Sequence, residues 1–232
     1  VMLNSGRWDN GAGGLAGLEV WRNAERSDPC VTRNGTRHVL QGLGIAWSPG
    51  QLAFHPGRNG EYAVVRWTAP ADEPVTVIAS FQSIAERATT DVHVRHNGQA
   101  LFDGFIHVGN AGPAARVEQS ITVKRGDTLD CAVGYGNGNY GADTTALAVR
   151  IQTGSGITFD AAGEFNPAQN PNGPWSYGQW APGATPQPDT FARFAKGMVE
   201  ETVGSLSNPG SRVWEDTLSD QHPYQRVPHT AD

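Results

Sequence analysis

The residues with the most chemical potential sit in one loop. Gly134-Tyr135-Gly136-Asn137-Gly138-Asn139-Tyr140-Gly141-Ala142-Asp143 interleaves glycine with amide, phenol and carboxylate side chains. Tyr135 and Tyr140 offer planar faces against which a sugar ring can lie, and Asn137, Asn139 and Asp143 can hydrogen-bond its hydroxyls. The same oxygens on a flexible backbone could wrap calcium, which takes roughly six to eight oxygen ligands, although the Asp-x-Asp-x-Asp spacing of an EF-hand is absent. A reading without ligand is a long turn whose tyrosines pack on the body of the protein.

Catalytic patterns are scarce. No Gly-x-Ser-x-Gly elbow presents a nucleophile, and no His-Glu-x-x-His or Cys-x-x-Cys supports zinc. His93 and His96 straddle a strand and His55 sits at a turn, as ordinary surface or hydrogen-bonded histidines do. A glycosidase needs two carboxylates across a cleft, whereas Asp72, Asp103, Asp127 and Asp143 read as turn residues. The expectation is a protein that is no enzyme and needs no cofactor, with calcium the one alternative. Cys131, alternating with Leu129 and Val133, reads as a buried thiol, and a Cys30 to Cys131 disulfide is the other reading.

Composition narrows the partners. The 232 residues include 29 Gly and 15 Pro, with 38% hydrophobic and 17% charged residues and a net charge of −6. Many short strands and tight turns fit that balance better than helices. The 17 Lys and Arg are scattered, so nucleic acid is excluded as a partner. No run approaches the ~20 apolar residues that cross a bilayer, and no basic and apolar leader follows Val1, so a soluble chain without a membrane partner is expected.

The elements that must position the loop are strands. Apolar alternation marks Glu61 to Trp67, Val75 to Phe81, Thr90 to His96, Ala100 to Ile106, Arg116 to Val123, Leu129 to Val133 and Thr145 to Ile151. Asn97-Gly98 suits a type I′ hairpin turn. Strands at roughly 10-residue spacing, each with one apolar face, predict an all-β, antiparallel two-sheet sandwich. Phe191 to Val203 admits a helix, or a strand followed by a loop.

After residue 157 the composition turns to Asn, Pro, Gly and Trp. Residues 1–157 are expected to form the sandwich body and 158–232 an extension. Aromatics are costly to leave in water, so Phe159, Phe165, Trp175, Tyr177, Trp180, Phe191 and Phe194 should dock on something. Gly17-Leu18-Glu19-Val20-Trp21-Arg22-Asn23 is echoed by Gly210-Ser211-Arg212-Val213-Trp214-Glu215-Asp216, so residues 194–232 restate residues 1–38 as a partial second repeat.

Asn170 to Gly178, Leu52-Ala53-Phe54-His55-Pro56-Gly57, Val65-Arg66-Trp67-Thr68-Ala69-Pro70, Thr90-Asp91-Val92-His93-Val94, Gly126-Asp127 and Asp143-Thr144-Thr145 together resemble uncharacterised β-sandwich modules of large bacterial secreted proteins. Those modules are similar to jelly-roll, carbohydrate-binding sandwiches, so the resemblance implies a jelly-roll fold and an extracellular or cell-surface location. Here the Asn170 to Gly178 motif follows the His55-Pro56-Gly57 motif, the reverse of the order in those modules. The body is therefore expected to lack a first strand, supplied by the tail in cis or to a neighbouring subunit. Completion in trans would make a homo-oligomer or filament by donor-strand complementation. The other reading is a polysaccharide-binding module of a larger secreted protein.

Overall fold

A computed structural model describes residues 15–42, 44–85, 87–107, 115–183 and 185–200, and the backbone of two short strands, β1 (Met2–Leu3) and β2 (Arg7–Trp8). Sixteen further strands follow: β3 (Leu18–Arg22), β4 (Cys30–Asn34), β5 (Leu40–Gly42), β6 (Ile45–Trp47), β7 (Leu52–His55), β8 (Tyr62–Thr68), β9 (Glu73–Ser83), β10 (Thr89–His96), β11 (Gln99–His107), β12 (Ala115–Val123), β13 (Thr128–Val133), β14 (Thr145–Thr153), β15 (Thr158–Asp160), β16 (Trp175–Trp180), β17 (Ala192–Arg193) and β18 (Lys196–Val199).

The apolar residues of these strands cannot be buried within one sheet, so two sheets close on each other. The large sheet contains β12-β9-β14-β7 in that order, and the small sheet contains β11-β10-β13-β8. All the pairings are antiparallel. From β7 to β14 the chain crosses from sheet to sheet at every connection but the β10–β11 hairpin, which makes these eight strands a jelly roll. The core between the sheets includes Phe54, Val65, Trp67, Phe81, Val94, Cys131, Leu147 and Ile151. The fold class expected from alternation is the one observed.

One sequence expectation is corrected, and of the two readings of Phe191 to Val203 the described residues take the strand. The eight-strand order is complete within residues 52–153, so the body lacks no jelly-roll strand. The neighbouring segments instead widen both sheets on one flank, with β4, β3 and β18 continuing beyond β7, and β16 and β17 beyond β8. Over Phe191 to Val203 the described residues form strands β17 and β18 and no helix, because β18 pairs with β3 from Lys196↔Arg22 to Val199↔Glu19.

The tail spends its aromatics in its own chain. In β16, Trp175 and Tyr177 face the main core with Phe165 and Phe194, and Phe159 packs against it. Trp180 points the other way, into a small cluster with Tyr62, Val64 and Ala132, on which Phe191 packs. That alternation follows from a period of two along β16. Asn170 fixes the approach: its Nδ2 donates to the carbonyls of Tyr177 and Phe194, and its Oδ1 accepts from the Tyr177 amide. The seven aromatics expected to dock on something therefore pack within their own chain. Residues 201–232, with the repeated 210–216 segment and Trp214, lie outside the described residues. Truncating Trp175 to Ala is expected to lower the unfolding free energy by about 3–5 kcal/mol in urea denaturation, whereas Tyr135→Ala, in a loop, should cost about 1 kcal/mol or less.

Candidate functional site

The sequence-predicted ligand residues do not converge. Tyr140 and Asp143 are buried, Tyr135 is half-buried, and only Asn137 and Asn139 are exposed. Tyr140 stands edge-on to His55, ring centroids 5.9 Å apart. Asp143 Oδ1 accepts from the Thr89 amide at 2.7 Å, while its Oδ2 is buried without a partner. The Asn137 and Asn139 oxygens accept from the amides of Asn139 and Gly141, so they close local turns. Among the described residues, no group of three or more His, Cys, Asp or Glu side chains is placed to hold a metal ion. The tryptophans are internal as well: Trp21, Trp47, Trp67, Trp175 and Trp180 are all at most 5% exposed.

The disulfide reading is also corrected. Cys30 and Cys131 are free, because Cys30 on β4 belongs to a second apolar cluster with Leu18, Val20 and Trp47, while Cys131 on β13 lies in the main core. Burial pushes both thiols up.

The structure assembles a different constellation on the outer face of the small sheet. On β10, Val92 and Val94 point inward, so Asp91, His93 and Arg95 point outward. His93 Nε2 lies 2.8 Å from Asp91 Oδ2, and its Nδ1 meets Asp103 Oδ1 on β11. Arg95 donates to the same Asp103 oxygen and to the Phe102 carbonyl. From β8, the Tyr62 hydroxyl donates to Asp91 Oδ2 at 2.8 Å, and the Gly136 amide donates to Asp91 Oδ1 at 2.8 Å. Tyr62 can reach Asp91 across β13 because the intervening position is Gly134, where a Cβ would clash with both side chains.

A bulge decides which face Asp103 takes. Near the Asn97-Gly98 turn the pairs are His96↔Gln99 and Arg95↔Ala100, but the next is Val94↔Phe102, so Leu101 is an extra residue on β11. Without it, Asp103 would lie opposite the core-facing Val92. With it, Asp103 opposes His93 and Phe105 opposes Asp91, both on the outer face. Sequence reading missed this because Leu101, Phe102, Phe105 and Ile106 give no clean alternation.

At this edge the network opens to solvent. Phe105 is 54% exposed and is the one aromatic among the exposed large hydrophobic side chains of the described residues. Its ring edge lies against Gly136, where a Cβ would collide with it, so the 135–139 loop walls one end of the ring. The Asp103 side chain, also 54% exposed, flanks the other. Toward β8 the same face is covered by the segment preceding β17. There Arg66 forms a bidentate pair with Asp130 at 2.6 and 2.7 Å, donates to the Pro188 carbonyl, and lies 4.0 Å under the Phe191 ring.

Charges on the face are set by these partners. Burial raises the Asp91 carboxyl, but hydrogen bonds from His93 and Tyr62 outweigh it and hold the group below the usual carboxylate range. Asp103 is likewise held low, burial being outweighed by His93 and Arg95. The carboxyls pushed the other way are buried: burial takes Asp143 up to about 7, and Asp28, opposed by Arg58, up to about 6. An acid–base pair needs one protonated and one ionised carboxyl, both within reach of substrate. Here the Asp91 and Asp103 carboxyls are both held low, Asp130, raised by burial against the pull of Arg66, is paired with that guanidinium, and both ring nitrogens of His93 are engaged.

No protein-family model matches the chain, and no curated protein does. Among solved structures, CBM51 from Clostridium perfringens GH95 in complex with methyl-galactose is 13% identical over 55% of this chain and 90% of its own, with a TM-score of 0.35. The GH26-CBM35 β-(1,4)-mannanase of Podospora anserina is 12% identical over 58% of this chain, with a TM-score of 0.24. The match spans 25% of that second chain.

The pKa shifts set a pH profile. Asp143 and Asp28 have raised folded-state values, so their contribution is complete below about 3.8 and is lost as pH rises through about 6 and 7. His55, lowered by burial to about 4, opposes this below its unfolded value of 6.5. Asp91 and Asp103 contribute above 3.8 and lose it in stronger acid. Melting temperature should therefore fall between pH 5 and pH 8, and Asp143→Asn should flatten that fall, as read by calorimetry across the range.

Proposed function

We propose that this chain is a non-catalytic, glycan-binding jelly-roll module, and that the shelf formed by Phe105, Asp103 and the 135–139 loop is its binding surface. One observation carries the reading: an exposed aromatic ring beside an exposed carboxylate whose position is fixed from below. A sugar ring lays its C–H face on the negative face of an aromatic ring and gives its hydroxyl hydrogens to acceptors at the rim. Asp103 meets the second need without rearrangement, because His93 and Arg95 already hold it. Of the loop residues suggested by sequence, Asn137 adjoins this shelf through its neighbour Gly136.

Catalysis has no support, since Asp91 and Asp103 are both held low while Asp143 and Asp28, the carboxyls raised to about 7 and about 6, are buried. Assembly by donor strands has none either, since the chain's own β16 and β18 fill the places beside β8 and β3. A secreted or cell-surface location belongs to the same proposal and rests on the resemblance of the motifs to modules of bacterial secreted proteins. Among the described residues no helix is long and apolar enough to cross a membrane.

Native gels cast with soluble polysaccharides test the reading. Migration of the wild-type chain should be retarded by at least one polysaccharide, and Phe105→Ala should abolish the retardation while leaving the melting temperature within about 2 °C, as befits a surface position. Equal mobility of both proteins in every gel would refute the proposal.

A further inference from the structure

Resting on that reading of the shelf, we infer that it selects neutral, hydroxyl-bearing sugars and rejects uronate- and sulfate-bearing ones. The argument is an inventory of what the outer face leaves unspent. Both protein partners of Asp103, His93 Nδ1 and Arg95 Nη2, sit on its Oδ1, which leaves Oδ2 as an acceptor for a ligand. The Asp91 oxygens are spent, Oδ1 on the Gly136 amide and Oδ2 on Tyr62 and His93. Asn137 gives its side-chain oxygen to the Asn139 amide, which leaves its Nδ2 as a donor. The shelf therefore offers an acceptor on one side of Phe105 and a donor on the other.

Arg95 and Arg66 are committed. The Arg95 side chain is 8% exposed, and its terminal nitrogens serve the Val94 and Phe102 carbonyls and Asp103. Arg66 is taken by Asp130, the Pro188 carbonyl and the Phe191 ring. A carboxylate or sulfate brought to Phe105 would be desolvated beside ionised Asp103, with the Arg95 and Arg66 guanidinium groups already paired, which is unfavourable. A hydroxyl both donates and accepts, so a neutral pyranose satisfies Oδ2 of Asp103 and Nδ2 of Asn137 together. Asp103 and Phe105, two residues apart on one strand face, stand about 6.5–7 Å apart along the strand, so one sugar residue can meet both.

A glycan array holding neutral, uronic-acid and sulfated oligosaccharides decides the matter, followed by calorimetric titration of the best ligand. The expected result is binding confined to neutral glycans, with Phe105→Ala weakening it about tenfold and Asp103→Asn by about tenfold or more. Phe105→Trp, which keeps the platform, should retain binding and guards against misfolding as the cause of loss. Preference for acidic or sulfated glycans, still sensitive to Phe105→Ala, would overturn the selectivity and leave the glycan reading standing. Absence of binding to every glycan would overturn both.

Discussion

Pairing of β8 with β16 fixes both faces of the small sheet. β8 lies between β13 and β16, with register running from Tyr62↔Trp180 to Trp67↔Trp175. Its inward row, Ala63, Val65 and Trp67, enters the main core beside Trp175 and Tyr177. Its outward row, Tyr62, Val64 and Arg66, supplies the anchor of the Asp91 network and the tether for the segment before β17. Slipping this register by one residue would exchange the two rows, burying a guanidinium in the core and leaving the shelf without its support.

That dependence explains why the tail belongs to the sandwich although the jelly roll itself ends at β14. The eight strands close the topology, and the tail closes the surface. Trp175 and Tyr177 cover one edge of the core, and Trp180, its ring tilted 51° to that of Tyr62 with centroids 5.6 Å apart, covers the outer face behind the polar network. Buried polar networks of this kind are costly when half satisfied and position-defining when complete. The one around His93 is complete at its buried end and leaves an acceptor open only at Asp103, where solvent begins.

Much of the fold was legible in the residues. Val92-His93-Val94-Arg95 alternates cleanly, Asn97-Gly98 marks its hairpin, and Leu129, Cys131 and Val133 fall in one buried row. The wealth of aromatics between 159 and 194 signalled docking, but not against which chain, because strand partners so far apart in sequence leave no local trace. The site was the less legible part. Tyr140 and Asp143 look like ligand groups by type, yet Asp143 is consumed in holding Thr89. Asp103 and Phe105 look unremarkable until Leu101 shifts the register and turns them outward. A one-residue bulge changes every face assignment after it, and neither periodicity nor turn chemistry records it.

The central claim is that ligand binding occurs at the outer edge of β10 and β11 and not among the loop tyrosines or the tail. Backbone amide shifts of the isotope-labelled chain, followed by NMR during titration with a neutral oligosaccharide, report this directly. The account predicts changes concentrated at Asp103, Phe105, Gly136 and Asn137, with Trp175 to Trp180 unmoved. Changes centred on the tail, on Tyr140 and Asp143, or nowhere in the described sandwich would contradict it.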